Sequence, residues 1–143
     1  MKFFAGLNVW MLPLAAVASF AFGGLWYGLL AKQWMAALGR TEVEMKGAGG
    51  PSPIPFIITF LAQLVMAWVL AGLIHHLARS GIPATLRSGM ITAALIWFGF
   101  VLAPLVVNHQ FQMQRPTLTV IDSAHWLGVL LIQGAILGLW GLA

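Results

Sequence analysis

The sequence predicts an all-α fold, an integral membrane bundle of four transmembrane helices with a short interfacial helix between the first and the second. Hydrophobic residues make up 61% of the chain and charged residues only 7%, whereas about a quarter of the residues in a typical soluble domain are charged. The apolar residues are also concentrated in four long blocks, and a transmembrane helix needs about 20 such residues in a row. We therefore expect residues 1–143 to form a single transmembrane domain.

The first predicted span covers residues 8–30 and is followed by Lys32. Its beginning also resembles a secretory signal, with Lys2 before an apolar run and Ala16-Val17-Ala18 as a candidate cleavage triplet. The apolar run continues well beyond this triplet. That continuation favours a membrane span over a cleaved signal.

A polar loop over residues 31–53 separates the first two spans. Its first half has helical propensity, and Thr41 with Glu44 three residues later forms a candidate capping box. This pattern predicts the short interfacial helix. The glycines and prolines from Gly47 to Pro55 then interrupt regular structure.

The other three spans are predicted over residues 54–77, 86–107 and 123–142. The short connection between the second and third spans makes them antiparallel neighbours. The segment before the fourth span is polar and contains Pro116, so we predict Asp122 or Ser123 as the N-cap of that helix. Four spans place both termini on the same side of the membrane.

The basic residues that flank the spans give only a weak orientation signal. Three lie on the side of the termini and four on the other side: Lys2, Arg79 and Arg87 against Lys32, Arg40, Lys46 and Arg115. The two counts are nearly equal, and we expect a protein of the cell (inner) membrane with both termini in the cytoplasm. The near balance also leaves open a dual insertion, in which two copies form a small antiparallel dimer.

Composition excludes several kinds of chemistry. The chain has no cysteine, so it has no disulfide, thiolate metal site or thiol nucleophile. Its net charge of +4 comes from scattered basic residues that form no stripe for nucleic acid. The chain also has no phosphate-binding GxxxxGK run, no HExxH motif and no serine in a nucleophile elbow. We therefore predict no enzyme activity and no cofactor.

Aromatic, small and amide residues indicate how the helices meet the membrane and one another. Four aromatic residues near span ends are predicted interfacial anchors: Trp26, Tyr27, Trp34 and Trp126. Two GxxxG pairs let helix backbones approach closely, and we expect them to mediate helix packing: Gly24 with Gly28, and Gly134 with Gly138. The mid-span Gln63 and Gln133 are expected to form hydrogen bonds between helices. No acidic or basic residue lies in the middle of a predicted span, which disfavours a carrier driven by protonation.

The run from Gly23 to Gly28, GGLWYG, is followed by Lys32, Trp34 and Met35 and then by LGRTEVEM. It resembles the N-terminal signature of a bacterial membrane family called domain of unknown function 1761. The segment from Val120 to His125 is similar to the part of that family before its last span, and the number and order of spans also agree. The Gly-Pro-rich linker departs from the family pattern. The resemblance implies a multi-pass membrane protein, and it assigns no activity and no catalytic residue.

Four polar residues at the ends of the third and fourth spans form the candidate site: Asn108, His109, Asp122 and His125. Topology places them at one membrane face, and Asp122 and His125 share a side of a helix. In the functional interpretation, the imidazoles bind a metal or carry protons, Asp122 orients or ligates, and Asn108 donates a hydrogen bond. We favour a structural interpretation, in which Asp122 caps the fourth helix and the histidines lie among headgroups, because two histidines and one carboxylate are a minimal ligand set.

These observations favour a small membrane protein that works by association. We expect either an accessory subunit of a membrane complex or a homo-oligomer, whose partners are the lipid bilayer and other membrane chains or further copies of itself. The alternative is a small-molecule or metal carrier, or a membrane enzyme, that uses the polar face at the ends of spans three and four.

Overall fold

The computed structural model describes residues 6–47 and 52–142. Lys2, and residues 48–51 of the predicted polar loop, lie outside the described residues. In the described ranges, seven α-helices and one π-helical segment follow one another: α1 (Met11–Leu29), α2 (Ala31–Leu38), α3 (Glu42–Lys46), α4 (Ile54–Arg79), α5 (Leu86–Ile96), the π segment (Trp97–Leu102), α6 (Ala103–Phe111) and α7 (Pro116–Trp140).

Four of these stretches are long and apolar enough to cross a membrane: α1, α4, the continuous third span Leu86–Phe111, and α7. The predicted all-α bundle of four spans is confirmed, and the protein is a multi-pass membrane protein. An isolated bridge pairs Leu7 with Leu142, and the Asn8 amide donates to the Gly141 carbonyl over 2.9 Å. These contacts bring the beginning of α1 next to the end of α7.

The region between the first two spans contains two short helices, α2 and α3, where we predicted one. Gly39 ends α2 in the left-handed conformation, with a φ of 68°, which glycine adopts without steric cost. Thr41 then begins α3 with the predicted capping box. In this box the Thr41 amide donates to the Glu44 carboxylate over 2.7 Å, and this bond lowers the pKa of Glu44.

The helix of the fourth span, α7, begins at Pro116, seven residues before the predicted start of that span at residue 123. The prediction that Asp122 or Ser123 caps this helix is therefore wrong. Proline is well suited to the first position of a helix, because the amide that it lacks has no partner there and its fixed φ is helical. Pro116 therefore starts the helix, and Asp122 lies about 9 Å along it at 1.5 Å per residue.

The third span contains the π segment, which ends two residues before Pro104. Proline has no amide hydrogen and its ring clashes with the carbonyl four residues earlier, so a regular α-helix cannot continue through it. The wider π turn accommodates this defect. In the same segment, the Trp97 indole donates to the Ser123 carbonyl of α7 over 2.7 Å.

The glycine pair in α7 packs inside the bundle against α5. A Cβ atom on Gly134 would lie only 2.5 Å from the Gly89 carbonyl oxygen, and one on Gly138 would collide with the Thr85 carbonyl. Gly89 of α5 is therefore the partner of the predicted α7 pair. The sequence pattern did not indicate this partner. By contrast, a Cβ atom on Gly24 or Gly28 would meet nothing within 4 Å.

The mid-span amides hold three helices together, as predicted. The Ser19 hydroxyl of α1 donates to the Gln63 side-chain oxygen of α4 over 2.8 Å. The Gln133 amide of α7 donates to both the Ser19 hydroxyl and the Gln63 backbone carbonyl, each over 3.0 Å. All three side chains are fully buried, so these bonds fix the relative position of α1, α4 and α7 at the centre of the bundle.

Replacing Gly89 with alanine is expected to destabilise the fold by about 1 to 3 kcal/mol, a typical cost of overpacking. The added Cβ would meet the Gly134 carbonyl and the Gly138 Cα, so α5 and α7 would have to separate. The free energy of unfolding in detergent, followed by circular dichroism, checks this. Gly99→Ala is the matched control, because a Cβ there meets nothing within 4 Å. Equal losses in the two variants would contradict this interpretation of the packing.

Candidate functional site

The carboxylate of Asp122 is held by two aromatic donors from other helices. The Tyr27 hydroxyl of α1 donates to Asp122 Oδ1 over 2.8 Å, and the Trp34 indole of α2 donates to the same oxygen over 3.1 Å. We call Tyr27, Trp34 and Asp122 the Asp122 cluster. Next to it, the Trp26 indole donates to the Ile121 backbone carbonyl over 3.2 Å. The ends of α1, α2 and α7 are thereby joined at one point.

The chain order explains how the two donors converge. The α1 helix ends at Leu29 and α2 begins at Ala31, with only Leu30 between them, so Tyr27 and Trp34 are seven residues apart, or about two helical turns. Their rings contact each other edge to face, with centroids 5.2 Å apart. A partly buried tyrosine or tryptophan usually needs a partner for its polar hydrogen, and Asp122 supplies one acceptor for both.

His109 approaches the other oxygen of Asp122. Its Nε2 lies 3.9 Å from Asp122 Oδ2, and the two side chains are only 12% and 18% exposed. This distance is too long for a hydrogen bond, although a protonated imidazole would still be attracted to the carboxylate. His109 Nδ1 lies 2.9 Å from the Thr119 hydroxyl, which fixes the ring. The two side chains therefore form a partly buried polar pair near one end of the bundle.

His125 lies behind the cluster in an aromatic pocket. It is 3% exposed, and its ring lies 4.7 Å from the Tyr27 ring and 4.9 Å from the Trp126 ring, centroid to centroid. A Cβ atom on Gly23 would lie 2.8 Å from His125 Nε2, so the glycine makes room for the imidazole. His125 Nδ1 is buried and has no hydrogen-bond partner among residues 6–47 and 52–142.

Of the four predicted site residues, the structure brings His109 and Asp122 together. His125 is separated from the solvent by aromatic rings, and Asn108 is exposed and lines a different depression, shared with Trp126 on the α4 side of the third span. Within the described ranges, no group of three or more His, Cys, Asp or Glu side chains is placed to hold a metal ion.

The two donors of the Asp122 cluster were not predicted from the sequence. Tyr27 and Trp34, together with Trp26, were expected at the membrane interface, and in the structure their polar hydrogens bind α7. A carboxylate at the end of a span needs donors, but Tyr27 and Trp34 are 95 and 88 residues away from Asp122 along the chain. Their convergence depends on how α1, α2 and α7 pack, which no local pattern indicates.

A model of the family described as a protein of unknown function, DUF1761, matches residues 10–138. This match confirms the resemblance inferred from the Trp26-Tyr27 region. It extends from the beginning of α1 to the last turn of α7, so it includes the Asp122 cluster, His109 and His125. Neither the curated proteins nor the solved structures contain a match to the chain.

Tyr27→Phe is expected to lower the free energy of unfolding in detergent by about 1 to 3 kcal/mol, because it removes a hydrogen bond to a charged group. In an Asp122→Leu background the same substitution should cost almost nothing, since the acceptor is already absent. The four proteins form a double-mutant cycle. A coupling energy near zero would show that the Tyr27 hydroxyl and Asp122 do not interact.

Gly23→Ala is expected to destabilise the bundle, again by about 1 to 3 kcal/mol, because its Cβ would occupy space needed by the His125 ring. Gly99→Ala is the matched control, with open space around its Cβ, and is expected to change the free energy of unfolding little. Thermal unfolding of both variants in the same detergent checks this. The cost of Gly23→Ala should also disappear in a His125→Ala background; its persistence there would argue against the contact.

Proposed function

The chain belongs to the DUF1761 family of proteins of unknown function, and on this premise we propose that it acts by association within the membrane. It works as a homo-oligomer or as an accessory subunit of a membrane complex, in the cell (inner) membrane, and it is not an enzyme. The observation that carries the proposal is the open space around Gly24 and Gly28. The chain uses its other GxxxG pair internally and leaves this one facing outward.

The residues around Gly24 and Gly28 form a continuous face. Val17, Ala21, Gly24 and Gly28 are all exposed, and their spacing of three or four residues places them on one side of α1. We call them the α1 outer face. Three of the four are small, so the backbone of a second helix can approach α1 closely along three turns. Close packing of this kind favours helix association in lipid, where the hydrophobic effect does not.

The polar groups support an associative function more than a catalytic one. Asp122 Oδ1 already accepts from both Tyr27 and Trp34, so it is held in a structural role. The amides of Gln63 and Gln133 are fully buried among the helices. These groups stabilise the bundle, and we place the association with other chains at the α1 outer face.

Replacing both Gly24 and Gly28 with isoleucine is expected to convert the native particle to a single chain without its partners, while the fold is retained. The two side chains project into space that is open in the isolated chain and occupied in the complex. The test is the mass and protein content of the particle extracted from its native membrane in mild detergent. Gly99→Ile is the control, because its Cβ is equally open on another span.

The same measurement separates the two forms of the proposal. A wild-type particle that contains other proteins is an accessory-subunit complex, and one that contains several copies of this chain is a homo-oligomer. A wild-type particle of one chain, or a particle unchanged by Gly24→Ile with Gly28→Ile, would contradict the association proposal.

A second candidate function is that of a small-molecule or metal carrier, or a membrane enzyme, that uses the His109–Asp122 pair. It is supported by the proximity of these partly buried side chains and by a depression of about 300 Å³ that His109 lines. Asp122 also lies within α7, about 9 Å from its start, although not in the middle of the span.

If the pair carries protons, Asp122→Asn should abolish proton flux into vesicles that contain the purified protein and a pH-sensitive dye. Asparagine keeps an oxygen that can accept from Tyr27 and Trp34, so the cluster can form without the charge. Glu42→Gln is the control, because its carboxylate lies outside the spans and binds Lys46. Flux that is equal in wild type and Asp122→Asn, or no flux in wild type, would count against a proton carrier at this pair.

A further inference from the structure

The depression beside His109 lies between the third span and the first two turns of α7. Its volume is about 300 Å³, at the lower end of the range for small-molecule sites. It lies next to the π segment, whose Leu102 forms part of the wall, and π-helical turns occur frequently at functional sites. The Trp97 indole, also in the π segment, binds the backbone of Ser123, which lines the depression as well.

The wall that the third span contributes changes from apolar to polar along its length. Leu102 and Val106 line the part nearer the middle of the span, and His109 and Gln110 line the part nearer its end. These positions follow one face of the helix, because they are spaced by three or four residues. An occupant that lies along this face meets apolar groups toward the bilayer centre and polar groups toward the bilayer surface. This is the polarity of an amphiphile inserted in one leaflet.

The polar end of the depression offers hydrogen bonds without formal charge. Gln110 and Gln114 each carry an amide, and the Thr119 hydroxyl and the His109 imidazole are hydrogen-bonded to each other. No Lys, Arg, Asp or Glu is among the described residues that line the depression, so an anionic headgroup would contact no lysine or arginine there. A neutral hydroxyl or carbonyl can both satisfy these groups and avoid the cost of desolvating an ion.

We propose that this depression binds a neutral, membrane-dissolved amphiphile whose hydroxyl or carbonyl head meets Gln110, Gln114 and His109 and whose apolar chain lies along Val106 and Leu102. The proposal gives the second candidate function a ligand class, and it rests on that function for the location of the site. Because binding is measured without any flux, loss of carrier activity and loss of this ligand are separate results.

The test is native mass spectrometry of the full chain in detergent, titrated with three probes. A short-chain diacylglycerol supplies a hydroxyl head, a short-tailed benzoquinone supplies carbonyls, and phosphatidylglycerol with the same acyl chains supplies an anionic head. We expect at least one of the two neutral probes to bind with about tenfold higher affinity than phosphatidylglycerol, a difference of about 1.4 kcal/mol. Diacylglycerol alone would identify a hydroxyl head, and benzoquinone alone a carbonyl head.

Two matched pairs of variants locate the binding. Val106→Trp should fill the depression and weaken binding about tenfold. Val107→Trp should change the affinity by less than about twofold, because Val107 lies outside the depression. The two wild-type valines are similarly exposed, at 46% and 52%. Gln110→Leu should likewise weaken binding, and Gln112→Leu should not. The proposal is overturned if neither neutral probe binds better than phosphatidylglycerol, or if Val107→Trp weakens binding as much as Val106→Trp.

Discussion

One end of this bundle is arranged so that the Asp122 carboxylate receives hydrogen bonds from other helices. Lipid offers Asp122 no partner, and an unpaired charge there is costly. Tyr27 and Trp34 supply the donors, and they can do so only because α2 begins directly after α1 and α7 begins before Asp122. The same arrangement brings Asp122 Oδ2 to 3.9 Å from His109 Nε2 and places the Tyr27 ring against His125. The geometry of the candidate site therefore follows from how this charge is satisfied.

Away from that end, α7 is held by a different kind of contact. Glycines allow its backbone to touch α5, and buried amides connect it to α1 and α4. Close backbone packing and buried hydrogen bonds can both hold helices together in a bilayer, where the burial of apolar surface contributes little to helix association. The α1 outer face has the same small residues, and the glycines in it meet no partner within the part of the chain that the structure describes. This contrast between two similar glycine motifs is the main structural support for association.

The elements that could be predicted are those governed by local pattern. Hydropathy identified four spans, the Thr41 capping box predicted α3, and Gln63 and Gln133 were expected to bond between helices. The start of α7 was not predicted, because proline is common both in loops and at the first position of a helix, so Pro116 alone does not indicate where the helix begins. The partners of Asp122 and of the α7 glycines were missed because they depend on which faces of separate helices meet, and span order alone does not specify this.

The π segment has a consequence for how this chain tolerates changes in length. One residue corresponds to about 100° of rotation in an α-helix, so the wide turn before Pro104 sets the direction in which every later side chain of the third span points. A π turn contains one residue more than an α turn, because its hydrogen bonds run from residue i to residue i+5. Removing a single residue between Trp97 and Leu102 would therefore convert the π segment to α-helix and keep the direction in which His109 points. Removing one residue after the segment, between Ala103 and Asn108, would instead turn His109 away from Thr119 and Asp122. Within the family, a gap inside the π segment is therefore compatible with the His109–Asp122 pair, and a gap after it is not.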